Sequence, residues 1–135
     1  INGTKNWTTN GNSAEIYLVI AQPHVDKGHK GINAFIVEKG MEGFEIGPKE
    51  NKLGIRGSDT RSLIFNDVKV PKDNRIGEDG YGFKFAMKTL AGGRIGIAAQ
   101  ALGIAAGAYE LAKKYSKERK AFGTEISNHQ AIAFK

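Results

Sequence analysis

Arg119-Lys120-Ala121-Phe122-Gly123 and, a little further on, His129-Gln130-Ala131-Ile132 gather cationic, aromatic and amide groups into one short stretch. Such a corner suits a phosphate-bearing ligand, because guanidinium forks and ammonium groups match phosphate oxygens. On charge alone the simpler reading is that these bases complement the negative end of a helix dipole. A second group lies near the start, where Trp7 sits beside Thr8-Thr9-Asn10-Gly11, a broad aromatic face next to hydroxyls and a flexible turn. Taken alone, Trp7 is an ordinary core or edge aromatic. His24 and His29 have a separation used in some zinc fingers, but with no cysteine pair beside them no metal site is expected. Neither they nor His129 lie in a nucleophile motif. Gly80-Tyr81-Gly82-Phe83 lacks the third glycine and the β-α-β setting of a dinucleotide fingerprint.

The elements that must position these groups change character along the chain. Ile16–Ile20, Ile32–Val37, Phe44–Ile46 and Leu63–Phe65 leading into Val68–Val70 are β-branched and aromatic runs. Turns at 26–31, 39–40 and 54–58 separate them at spacings typical of an antiparallel sheet or barrel, and Pro71 closes the strand region. After the acidic, glycine-bearing loop at 73–82, apolar residues recur in steps of three and four: Phe83, Met87, Leu90, then Ala101, Ala105, Ala108, Ala112 and Tyr115. Gly92-Gly93 predicts a break between a short helix and a long one. Gly96, Gly103 and Gly107 predict close approach to other helices of a bundle. Lys113, Lys114, Lys117, Arg119 and Lys120 predict the long helix's C-terminal end, with Gly123 as punctuation. Ser127 and Gln130 have the spacing of a capping box that opens another helix. The fold class is therefore α+β: an antiparallel β segment over residues 1–76, then the opening helices of a helical bundle over residues 77–135.

A hydrophobic share of 40% and a charged share of 25% are those of a globular protein. No apolar stretch is read as long enough to span a bilayer. The absence of cysteine excludes a disulfide scaffold and a thiol nucleophile, and cytoplasm is the default compartment. The net charge of +6 would permit contact with nucleic acid, but the bases are interleaved with Asp and Glu, which favours a solvated basic surface, or one recognising a cofactor's phosphates, over a nucleic-acid platform. Both ends look cut, since strand-like sequence begins almost at Ile1 and the last helical pattern stops at Lys135. An excised segment of a larger protein is expected.

Trp7–Gly11, Lys52–Thr60, Phe65–Pro71, Gly82-Phe83-Lys84, Gly93-Arg94-Ile95, Arg119–Gly123 and His129–Ile132 occur in that order, and together they resemble the acyl-CoA dehydrogenase family over essentially all 135 residues. Gly93–Ala98 and Gln100–Ala105 are most similar to the short-chain, butyryl-CoA-type branch. The resemblance implies an FAD-dependent enzyme that takes two hydrogens from an acyl-CoA thioester, leaves a trans-2-enoyl-CoA and passes electrons to an electron-transfer flavoprotein. It implies that Trp7 flanks the isoalloxazine ring, with Thr8 and Thr9 hydrogen-bonding near N5 and the carbonyl edge. Arg119, Lys120, Ala121 and Phe122 would reach FAD held mainly by a neighbouring subunit, Arg119 toward the pyrophosphate and Phe122 beside the adenosine half. His129 and Gln130 would belong to the same cross-subunit site of a homotetramer. Gly93 and Arg94 match acyl-CoA contacts, while Ala91 stands where many relatives carry Asp. No catalytic residue is assigned: in most relatives the base is a Glu on a later helix, and in the branches that place it on this helix its position matches Gly93. Two rivals remain, an acyl-CoA oxidase or other flavoprotein of the same superfamily, and a non-catalytic basic module that binds nucleic acid or assembles through its helices. The expectation is neither nucleic acid nor membrane as a partner.

Overall fold

A computed structural model describes residues 1–135, which fall into two units, Ile1–Lys88 and Thr89–Lys135. In the first unit five strands form two antiparallel sheets. β1 (Gly3–Thr9), β5 (Thr60–Phe65) and β4 (Phe44–Lys49) lie side by side in that order, and β2 (Ile16–Ala21) pairs with β3 (Asn33–Glu38). The unit's core contains one face of each sheet. Tyr17 and Val37 from β2 and β3 cluster with Phe44, Leu63, Phe65 and the nearby Val68. Phe44 meets Tyr17 edge-on at 4.9 Å and stacks on Phe65 at 5.0 Å, the offset arrangements that aromatic rings prefer. Strand alternation sends Ile16, Leu18 and Ile20 to the opposite face of β2, where they are exposed. The Tyr17 hydroxyl, whose pKa burial raises, donates to the carbonyls of Gly11 and Ala14 at 2.8 and 2.9 Å.

The strand-like start of the sequence is a full strand, β1, although its polar sequence carries little apolar alternation; its pairing to β5 supplies what its side chains do not. One strand expectation needs correction. Val68–Val70 does not extend β5. Asp67 turns the chain at φ 52°, so Val68 drops into the core, where its N–H donates to Ile1 O at 3.1 Å.

A single α-helix, α1 (Gly82–Glu118), runs 37 residues without a break. The expected interruption at Gly92-Gly93 is absent: two glycines weaken a helix by about 1 kcal/mol each, less than the nucleation cost of starting a second helix. The helix enters tightly, because Gly82 N–H donates to Ile32 O at 2.9 Å and a Cβ on Gly82 would lie 2.5 Å from the Asn33 carbonyl carbon. Beyond that point Phe83, Met87, Leu90, Ile97, Ile104 and Tyr115 stand exposed along one stripe, and Ile95, Leu102 and Tyr109 along another. A helix apolar on two sides belongs inside a bundle. By length and composition α1 also qualifies as a candidate membrane span, with a mean hydropathy of 1.3 over its most apolar window, which corrects the sequence reading. Alanine, isoleucine and leucine supply that value, and the alanines and glycines suit close packing of helices equally well.

α1 ends at Glu118, and the second unit continues as a tight hairpin, β6 (Lys120–Ala121) with β7 (Thr124–Glu125), followed by a 3-10 turn at Ile126–Asn128 and a short helix α2 (Gln130–Ala133). Gly123 is therefore a hairpin residue rather than the helix's punctuation, and Lys120 lies in a strand. His129, extended at φ −79° and ψ 131°, occupies the N-cap of α2; Ser127, expected to cap it, lies inside the 3-10 turn and makes no capping bond.

Candidate functional site

Trp7 owes its position to a bulge. Lys5 pairs with Leu63 and Thr8 with Arg61, so β1 carries an extra residue between those pairs. Trp7 takes φ 53° there, a left-handed conformation that a bulky side chain adopts only under local constraint. Its indole is 75% exposed. Thr8, the next residue, buries its Oγ1 without a hydrogen-bond partner. An orphaned buried hydroxyl costs about 1–3 kcal/mol, so an incoming polar atom that met it would be bound favourably. Thr8 and Thr9 also line a pocket of about 600 Å³ whose other wall is β2, with Ile16, Leu18 and Ile20. Trp7 is not on that wall, so the pocket and the indole face are separate features.

Trp7, Thr8 and Thr9 follow one another at the end of β1. A flat ring with a polar edge fits these residues: an open indole face for stacking, and hydroxyls beside it. The sequence reading assigned nothing to Asp59 and Arg61, which stand directly across from this strand end. Their signal was an acid and a base two apart at the start of β5, Asp59 at the end of the Lys52–Thr60 motif and Arg61 just beyond it. The Arg61 guanidinium, and after it the Asn12 N–H, hold the Asp59 carboxyl below its ordinary 3.8. Elsewhere in the unit, the amide of buried Asn33 donates to Asp79 at 2.8 Å and lowers that carboxyl's pKa.

In the second unit the hairpin turn is Phe122-Gly123, with φ 55° and 81°. Both central residues in the left-handed region define a type I′ turn, for which Asn-Gly is the favoured pair. Phenylalanine in that place is strained, and its ring is 99% exposed. The His129 ring stands edge-on to it at 6.1 Å, and His129 Nε2 lies 3.2 Å from Ala121 O. Arg119 joins α1 to the hairpin through its backbone, its N–H donating to Tyr115 O and its carbonyl accepting from Ile126, both at 2.9 Å. Its guanidinium is exposed and makes no ion pair within the chain. Gln130 opens α2 on the surface. Arg119, Lys120, Ala121, Phe122, His129 and Gln130 therefore form one corner, and free cationic donors beside an exposed ring fit a phosphate-bearing nucleotide. Gly93 and Arg94 are exposed on α1 and do not belong to this corner. About 36 Å of helix separates Arg94 from Glu118 at 1.5 Å per residue.

An antiparallel two-sheet unit joined in sequence to a long helix apolar on two sides defines the class: a chain with a β domain followed by a helical segment. The sequence matches the acyl-CoA dehydrogenase middle domain over residues 1–68 and the acyl-CoA dehydrogenase C-terminal domain over residues 80–135. The chain belongs to the acyl-CoA dehydrogenase family. It is 55% identical over 134 residues to the short-chain-specific acyl-CoA dehydrogenase of Clostridium acetobutylicum, covering 99% of this chain and 35% of that protein. The structure of butyryl-CoA dehydrogenase from Megasphaera elsdenii superposes with a TM-score of 0.92 at 54% identity, covering 98% of this chain and 35% of the other. A chain in the structure described as the electron transferring flavoprotein of Acidaminococcus fermentans is 56% identical, with a TM-score of 0.92 and the same coverage. The chain thus spans about a third of the length of the curated relatives it matches. The α+β expectation, antiparallel sheets followed by a long bundle helix, agrees with these structures.

Proposed function

We propose that the protein carrying this chain is an FAD-dependent acyl-CoA dehydrogenase of short-chain preference, which converts an acyl-CoA to the trans-2-enoyl-CoA and passes its electrons to an electron-transfer flavoprotein. The observation that carries the reading is the bulge of β1, which holds an open indole next to an orphaned hydroxyl. The 55% and 54% identities to short-chain-specific enzymes support the substrate class. The likeness to a chain in an electron transferring flavoprotein structure supports the partner. FAD, when bound, supplies the two-electron acceptor for the hydrogen that leaves the β carbon.

This chain's residues bind and orient. Trp7 offers a flat face that excludes water from one side of the ring, and Thr8 and Thr9 offer hydroxyl donors at its polar edge. Arg119 and Lys120 neutralise pyrophosphate charge and Phe122 packs beside the adenosine half, with His129 and Gln130 completing that corner across a subunit boundary. The assembly is a cytoplasmic homotetramer, and the domain boundary falls between Ile76 and Gly77. Gly93 and Arg94 contact acyl-CoA. No residue of the chain is assigned as the proton-abstracting base, since Gly93 has no side chain to titrate. In the full-length protein, anaerobic addition of butyryl-CoA is expected to bleach the flavin absorbance, with reoxidation faster by an electron-transfer flavoprotein than by oxygen. A colourless protein would refute the flavoenzyme, and faster reoxidation by oxygen would make it an oxidase.

A further inference from the structure

β5 lies between two strands that each carry one residue too many. β1 has its bulge between the Lys5–Leu63 and Thr8–Arg61 pairs, and β4 has another between Ile46–Leu63 and Lys49–Arg61. The two irregularities face each other across Ser62. A bulge aims a side chain but breaks the ladder locally, so the register there needs support from side chains.

Arg61 supplies it on the β4 side directly and on the β1 side through Asp59. Its Nε donates to Asp59 Oδ1 at 2.8 Å, and its Nη1 donates to Gly47 O, inside the β4 bulge, at 3.2 Å. Asp59 then ties down the segment that follows Trp7-Thr8-Thr9. Its Oδ2 accepts the Asn12 N–H at 2.8 Å and the Ser13 hydroxyl at 3.4 Å, and its backbone carbonyl accepts the Gly11 N–H at 3.2 Å. Gly11 is pressed so closely onto this pair that a Cβ there would lie 2.7 Å from Arg61 Cβ. The Asp59 and Arg61 side chains are only 16% and 23% exposed, which shields their attraction from salt. One guanidinium fork thus joins the β4 bulge to Asp59, and through Asp59 to the segment that follows β1, a task that a single ammonium cannot perform.

We propose that Arg61 and Asp59 are positioning residues: a clamp that holds the β1 bulge in the one conformation that presents Trp7 and Thr8. The inference rests on the proposed role of Trp7 beside the flavin. A pair that served stability alone would act through the melting temperature; a clamp acts on where the indole and hydroxyl sit.

The test uses the full-length protein. Arg61→Met removes both donors, whereas Asp59→Asn keeps the size and an acceptor toward Asn12 and removes the charge, so it carries the test should the first variant not fold. Misplacement of a positioning group by about 1 Å costs up to about a hundredfold in rate, so kcat with butyryl-CoA is expected to fall by about ten- to a hundredfold. KM should stay within about twofold, since the clamp touches no acyl-CoA contact. In the apoprotein, the Trp7 emission, isolated by subtracting the spectrum of Trp7→Phe, should lose anisotropy in both clamp variants. Val37→Ala, which hollows the core of the same unit, should lower Tm and leave kcat and the Trp7 anisotropy unchanged. Clamp variants that behave like Val37→Ala, losing Tm alone, would overturn the proposal. If the wild-type protein binds no flavin, the role of Trp7 fails separately, and the apoprotein anisotropy still decides whether Arg61 and Asp59 hold the bulge.

Discussion

At the scale of single residues, charge and strain mark the places of the proposed flavin contacts. Trp7 and Phe122 both adopt positive φ, and both leave their rings open to solvent. Hydrophobic burial alone would place neither ring there. Asp59 shows how such geometry is maintained and how it titrates. Its carboxyl is held below its ordinary 3.8 by the Arg61 hydrogen bond first and the Asn12 N–H second. With the folded pKa lower than the unfolded one, its stabilising contribution is fully present above about pH 4 and is lost as pH falls through the folded value. Acid unfolding of the wild type, followed by urea midpoints across that range, should therefore fall more steeply with decreasing pH than that of Asp59→Asn. Equal slopes would show that the carboxylate does not couple to folding.

At the scale of elements, the hairpin β6–β7 sets a conformational preference against a binding surface. Type I′ turns favour asparagine where this chain has Phe122. Phe122→Asn should relieve strain and stabilise the apoprotein by about 1 kcal/mol, while weakening FAD binding because the exposed ring is lost. Thermal melting of the apoprotein and FAD titration read the two effects separately, and a variant that binds FAD as well as the wild type would remove Phe122 from the site. This hairpin also shows where sequence reading stops. Strands β2 to β5 were legible because apolar side chains bury themselves at fixed periods. β1 was legible only as a strand-like start without bounds, and β6 and β7 not at all, because backbone pairing to a partner strand holds them, and their own side chains carry no such period. The continuity of α1 through Gly92-Gly93 was hidden for a related reason: propensity measures a local cost, whereas a helix already nucleated on either side overrides it. Of the proposed site, Trp7, Thr8 and Arg119–Phe122 were singled out from sequence, and the bulge that exposes the indole was not, since register is set jointly by two distant segments.

At the scale of the whole molecule, each unit leaves surface that its own residues do not cover. α1 is apolar along two stripes and exposed along nearly its full length, and β2 turns Ile16, Leu18 and Ile20 outward. The chain spans 35% of the Clostridium acetobutylicum relative, so other elements are available in such a protein to cover faces of this kind. The net charge of +6 suits the phosphate-rich ligands of the proposed function, FAD and acyl-CoA. All of this depends on one contact, that of the indole on strand β1 with the flavin. The most direct measurement is the Trp7 component of fluorescence in full-length apoprotein, again taken as wild type minus Trp7→Phe, during titration with FAD. Stacking against the ring should abolish that component in step with FAD binding. FAD that binds stoichiometrically while the Trp7 emission keeps its intensity would contradict the account.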